Sequence, residues 1–227
     1  MSSATPVPRF SPELRAAIYH FTVFGTNGAI SVYFGVWLTT RGIQPNEIGI
    51  INAAPVLLML AINQLVGRIA DRASDWRGVI MALSLIAGAI PIGLFFVSGF
   101  WGILLIWALS IVPSLALVPV TDAATLRMTQ RRGTNFSIVR AWGTVGFMLS
   151  GIASGPIIGA FGDAAFLPLF VTLALLRALM SFQLPRFKAP PTQGAIAHKH
   201  GATALKQVLK PWFVLTLIGR ASCRERV

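Results

Sequence analysis

The sequence predicts an all-α membrane protein, a bundle of six transmembrane helices with both ends in the cytoplasm. Three observations carry this expectation. Of the 227 residues, 55% are hydrophobic and only 11% charged, against about 25% charged in soluble domains. Mean hydropathy is +0.71, and the apolar residues fall in long runs without a polar face, as helices in lipid do. The basic residues sit in the connectors between those runs, crowded onto alternate ones.

Each span follows from length. Crossing about 30 Å of hydrocarbon takes roughly 20 apolar residues in a helix. Residues 1–15 form a cytoplasmic N-terminus. Ala16 to Thr40 makes the first span and Ile48 to Gly67 the second. From Gly78 to Thr121 there is no charge, a run about twice the bilayer thickness, so it folds back once. The break is placed at Ser98-Gly99-Phe100-Trp101, where Gly favours a turn and Trp the interface. Ala141 to Gly162 gives span five, its helix starting near Phe136. Ala164 to Leu184 gives span six, interrupted by Arg177. The bundle therefore occupies residues 16–184. A hydrophilic linker is expected over 185–210. Residues 211–217 read as the start of a seventh span. Residues 218–227 are similar to a translated sequencing adapter and are expected to be a non-native tail, Cys223 included.

Orientation comes from Lys and Arg. Arg9 and Arg15 precede span one. Arg68, Arg72 and Arg77 lie between spans two and three. Arg127, Arg131, Arg132 and Arg140 lie around the connector between four and five. Arg186, Lys188, Lys199, Lys206 and Lys210 follow span six. Arg41 stands alone on the other side, fourteen against one. The net charge of +12 is thus a topology signal, and no nucleic-acid partner is expected. With a single cysteine, no disulfide framework or cysteine metal site forms within the chain. No cofactor is implied. No H-E-x-x-H, no G-x-S-x-G and no P-loop is present, which argues against an enzyme and against ATP-driven transport.

The connector Gly67-Arg68-Ile69-Ala70-Asp71-Arg72-Ala73-Ser74-Asp75-Trp76-Arg77-Gly78 carries more than charge. Asp71 can accept from free N–H groups at a helix start or pair with an Arg. The segment resembles the G-x-x-x-D-R/K-x-G-R/K signature between helices two and three of major-facilitator transporters. Gly67, Asp71, Arg72 and Arg77 match, and Ser74-Asp75 stands where the family carries Gly. The resemblance implies the N-terminal half of a twelve-helix fold, with these four residues acting as a conformational latch. Pro119-Val120-Thr121-Asp122-Ala123 and Asn135-Phe136-Ser137-Ile138-Val139-Arg140-Ala141-Trp142-Gly143 resemble the phenylpropionate permease group and, more distantly, the lactose permease. The implied function is secondary transport, coupled to protons, of a small organic solute such as an aromatic carboxylate. The implied location is the bacterial inner membrane, and the implied partner is the missing C-terminal half. The alternative is a self-standing six-helix carrier or channel acting as a homodimer.

Ionisable groups inside a membrane are costly and face a partner or a cavity. Asp122 and Arg140 fall on consecutive helices at similar depth, so they are expected to pair. Arg140 then binds an anionic or hydrogen-bonding group of the substrate, since its planar fork suits a carboxylate, and Asp122 orients it. Asn27, in the middle of span one, is a third candidate contact. Arg177 is expected to snorkel toward the headgroups. His20 reads as an interfacial residue, with a part in proton traffic as the alternative because its pKa lies near neutrality. Tyr33, Phe34 and Trp37 read as interface anchors, with stacking on an aromatic substrate as the alternative.

Overall fold

The computed structural model describes residues 10–72 and 75–187, with residues 61 and 63–72 as backbone only. The described chain is helical: α1 (Pro12–Thr40), α2 (Pro45–Arg72), α3 (Trp76–Ala89), α4 (Gly99–Arg132), α5 (Phe136–Phe161) and α6 (Phe166–Ser181). A 3-10 segment, Ile90–Phe95, extends α3, and a short one, Asp163–Ala165, leads into α6. Five of these are long and apolar enough to cross a membrane: α1, α3 with its extension, α4, α5, and α6 with its lead-in. α2 has an apolar stretch over Pro45–Leu60. The expected linker beyond residue 187, the start of a seventh span and the tail lie outside the described residues.

Local chemistry fixes the helix ends. Ser11 caps α1, its Oγ accepting from Leu14 N at 3.2 Å, and Pro12 occupies the first turn, where a missing N–H costs nothing. Asn135 caps α5 by accepting from Ser137 N at 2.9 Å. α3 is capped by Asp75, whose Oδ1 accepts from Arg77 N at 3.0 Å. The sequence offered Asp71 as an acceptor at a helix start. The backbone through Arg72 belongs to α2, so most of the expected connector is helical and Asp75 does the capping. The fold-back falls where expected, with Ser98 before α4 and Gly99 at φ +77°, a conformation that side chains disfavour.

Two apolar clusters stack along the bundle. One gathers Tyr19, Val23, Trp76, Ile80, Leu117, Val139, Leu184 and Phe187. The other gathers Phe34, Trp37, Leu94, Trp107, Phe166 and Phe170. Phe34 and Trp37 are each 2% exposed, and Phe34 stacks on Trp107 at 3.7 Å between centroids. They are core residues, not the interface anchors the sequence suggested. They lie on the inner stripe of α1, and offset stacking adds to their burial. Phe187, inside the expected linker, is also buried in the core.

Between the clusters lies a belt of small and polar residues: Thr26, Ser84, Ala87, Gly88, Ser110, Ser114, Arg177 and Ser181, all buried. Small residues let helices approach closely where lipid supplies no hydrophobic force between them. α1 packs most extensively on α5. A Cβ on Gly28 would strike the Phe147 carbonyl, and one on Gly146 the Phe21 carbonyl. The two backbones touch because neither residue has a side chain.

Arg177 corrects another expectation. It is 1% exposed and donates from Nη2 to the Ala87 carbonyl at 3.0 Å. It does not snorkel. In an α-helix that carbonyl would accept from residue 91, which is proline and has no N–H.

Candidate substrate site

α1, α4 and α5 bring together the charged pair that the sequence singled out. Arg140 is the fifth residue of α5, just after its Asn135 cap, and Asp122 lies in the last third of α4. Arg140 Nε sits 3.0 Å from Asp122 Oδ1. That oxygen is buried and makes no hydrogen bond among the described residues, so the contact is an ion pair lying off the line of a directional bond. Both side chains are about a third exposed, at 28% and 32%.

The Arg140 guanidinium also lies over the Phe24 ring of α1, its Cζ 3.9 Å from the ring centroid. Such a contact fixes the fork while leaving its edge free. Gly143, one turn along α5, gives it space. A Cβ there would lie 2.7 Å from Phe24 Cδ2 and 3.0 Å from Arg140 Nη1.

His20 completes the cluster. It is 1% exposed, with Nδ1 3.8 Å from Asp122 Oδ1 and Nε2 3.2 Å from Thr125 Oγ1. It stacks on Phe24 at 6.4 Å. The interfacial role read from the sequence is therefore overturned. Phe24 and Thr125 were not singled out by the sequence, and Gly143 stood there only as part of the α5 motif; His20 joins all three here. Their signal was spacing: His20–Phe24 at i,i+4, Asp122–Thr125 and Arg140–Gly143 at i,i+3, each pair on one helix face.

Asn27 lies one turn beyond Phe24 on the same stripe of α1 and is half-buried. Its backbone carbonyl accepts from Ser31 Oγ at 2.9 Å, and its side chain makes no hydrogen bond among the described residues. Of the expected latch, Arg77 is described in full. Its Nη2 donates to the Phe182 carbonyl at 2.7 Å, tying the start of α3 to the end of α6. Gly67, Asp71 and Arg72 are described as backbone only. A separate apolar cavity of about 280 Å³ opens between α1, α5 and α6, lined by Phe21, Gly25, Ser154 and Leu173 among others. It holds no charged group.

Membrane-length helices around a partly exposed Asp–Arg pair define a polytopic membrane protein with a charged site inside its bundle. Residues 14–218 match the MFS_1 like family, and the chain belongs to it. It is 24% identical over 171 residues to the maltose permease of Geobacillus stearothermophilus, covering 75% of this chain and 43% of that protein. It is 28% identical over 172 residues to the "Probable 3-phenylpropionic acid transporter" of Escherichia coli, covering 73% and 44%. The fold matches a crystal structure of the nucleoside transporter NupG with a TM-score of 0.76 at 17% identity, covering 87% of this chain and 51% of that one. The chain spans about half the length of the curated relatives it matches.

Proposed function

We propose that this chain is the N-terminal, six-helix half of a proton-coupled transporter for a small anionic organic solute. α2 is the remaining span: its 28 residues reach about 40 Å as a helix. The Lys and Arg distribution supports both ends lying in the cytoplasm, and the bacterial relatives support an inner membrane. A second half would supply the opposite wall, and rocking of the halves would alternate access to a site near the middle.

One observation carries the substrate reading. Arg140 presents its Nε to Asp122 and its face to Phe24, yet its Nη groups have no hydrogen-bond partner among the described residues. A partly exposed guanidinium with an unused edge is a receptor for a carboxylate. The relatives are named for a sugar, an aromatic acid and a nucleoside, so the choice of an acid rests on that edge together with the aromatic-acid relative. Asp122 orients the guanidinium when the site is empty. Asn27 offers a neutral contact one turn further along α1. Gly67, Asp71, Arg72 and Arg77 form the latch that holds one conformation.

The test compares 3-phenylpropionate with its neutral amide by isothermal titration of the chain in lipid nanodiscs. Saturable binding of the acid and at least tenfold weaker binding of the amide is expected. Equal binding of the two defeats the anion-site reading.

A further inference from the structure

His20 and Arg140 address the same atom. Both side chains converge on Asp122 Oδ1, at 3.8 and 3.0 Å. His20 is sealed from solvent, and the ion pair beside it is open. Both ring nitrogens of His20 face an oxygen, Nδ1 toward the Asp122 carboxylate and Nε2 toward the Thr125 hydroxyl. An imidazolium would donate from Nε2 to the hydroxyl and pair through charge with the carboxylate at 3.8 Å, and a neutral ring could accept from the hydroxyl. The pocket is thus furnished for either protonation state.

The charges of the cluster then decide what binds. With neutral His20, Asp122 and Arg140 cancel. A carboxylate arriving on Arg140 leaves a net negative charge among membrane helices, where an uncompensated charge is costly. A proton on His20 restores neutrality. It also offers Asp122 a second cation, which loosens that carboxylate's hold on Arg140 and frees the guanidinium for the solute. No other described charged group is placed to substitute. Arg177 of α6 is turned to the Ala87 carbonyl of α3, and the neighbouring Tyr19 hydroxyl is 2.5 Å from Ser84 Oγ of α3. The Glu13–Arg132 pair lies about two helical turns back along α1.

We infer that His20 is the proton-binding residue of this site and takes up one proton for each anionic solute held by Arg140. The inference rests on the reading of Arg140 as an anion site. Exchange of the shared carboxylate between Arg140 and His20 couples the two ligands. Binding of a carboxylate solute then strengthens as pH falls through the titration of His20 and weakens about tenfold per pH unit above it.

Two measurements on the reconstituted chain separate this inference from the one beneath it. In the first, side-chain nitrogen NMR of ¹⁵N-histidine-labelled protein, the His20 signal is assigned by its loss in His20→Gln and titrated without ligand. A titration that moves down by at least one pH unit in Asp122→Asn is expected. A ring that shows no titration at all, or one whose titration Asp122→Asn leaves unmoved, overturns the proton site. In the second, 3-phenylpropionate binding is followed against pH with proton uptake recorded by an indicator dye. Wild type should take up one proton per ligand, and His20→Gln none, with a flattened pH profile. An unchanged profile and uptake in His20→Gln also overturns it. If His20 titrates as expected but no carboxylate binds, the substrate reading fails and the link between proton and solute fails with it.

Discussion

Arg177 supplies the hydrogen bond that Pro91 removes. Its Nη2 donates to the Ala87 carbonyl at 3.0 Å, the acceptor left without its i+4 partner where α3 tightens into a 3-10 segment. The two residues should therefore be energetically coupled. Arg177→Met leaves a buried carbonyl unpaired and should destabilise the bundle by about 1–3 kcal/mol. In a Pro91→Ala background, where the helix can restore its own bond, the same change should cost about 1 kcal/mol less. Thermal denaturation of the four proteins of this cycle in detergent measures the coupling, and additive penalties would refute it.

The α1–α5 contact makes a second prediction. Gly28→Ala drives a Cβ into the Phe147 carbonyl, a backbone atom that cannot swing aside. It should cost about 1–3 kcal/mol. Gly35→Ala, on the same helix with nothing within 4 Å, should be neutral or stabilising by up to about 1 kcal/mol. Similar melting temperatures for the two variants would show that the helices are not held by backbone contact.

Much of this architecture was legible in the sequence because membrane spans announce themselves by length. The charge-free run from Gly78 to Thr121 demanded a fold-back, and Ser98-Gly99 supplied it. The ends of α5 and the pairing of Asp122 with Arg140 followed from hydropathy and helix order. Three-dimensional burial was less legible. Phe34 and Trp37 sit at a helix end, where aromatics anchor interfaces, but the stripe they occupy turns inward onto Trp107. Arg177 looked like a snorkelling charge because its partner is a main-chain carbonyl, and only Pro91, in a helix distant in sequence, marks that carbonyl as free. His20 was hidden because its partners, Asp122 and Thr125, lie on a helix three spans away. A lone histidine in sequence carries no sign of them.

The shape of the site predicts a specific sensitivity at Gly143. Its Cβ in Gly143→Ala would crowd both Phe24 and Arg140, pushing the guanidinium off the ring. Solute affinity should fall about tenfold, the scale on which displacing a charged hydrogen-bonding group acts, while the melting temperature moves little because Phe24 is only half-buried. Isothermal titration and a melting curve on the same sample check this. A loss of stability with unchanged affinity would assign Gly143 to packing alone.

Topology gives a fourth prediction. In a Cys223→Ser background, a cysteine introduced at Thr134, between α4 and α5, should be labelled by a membrane-impermeant maleimide only from the cytoplasmic side. One at Gln44, between α1 and α2, should be labelled only from outside. Labelling of both from one side would remove the odd number of crossings that separates them.

The central claim is that Arg140 receives the acidic group of the solute, and equilibrium binding of radiolabelled 3-phenylpropionate to Arg140→Lys tests it most directly. Lysine keeps the charge but loses the planar fork. The variant should fold and insert normally, yet bind the acid at least tenfold more weakly than wild type. Wild-type affinity in Arg140→Lys would contradict the assignment.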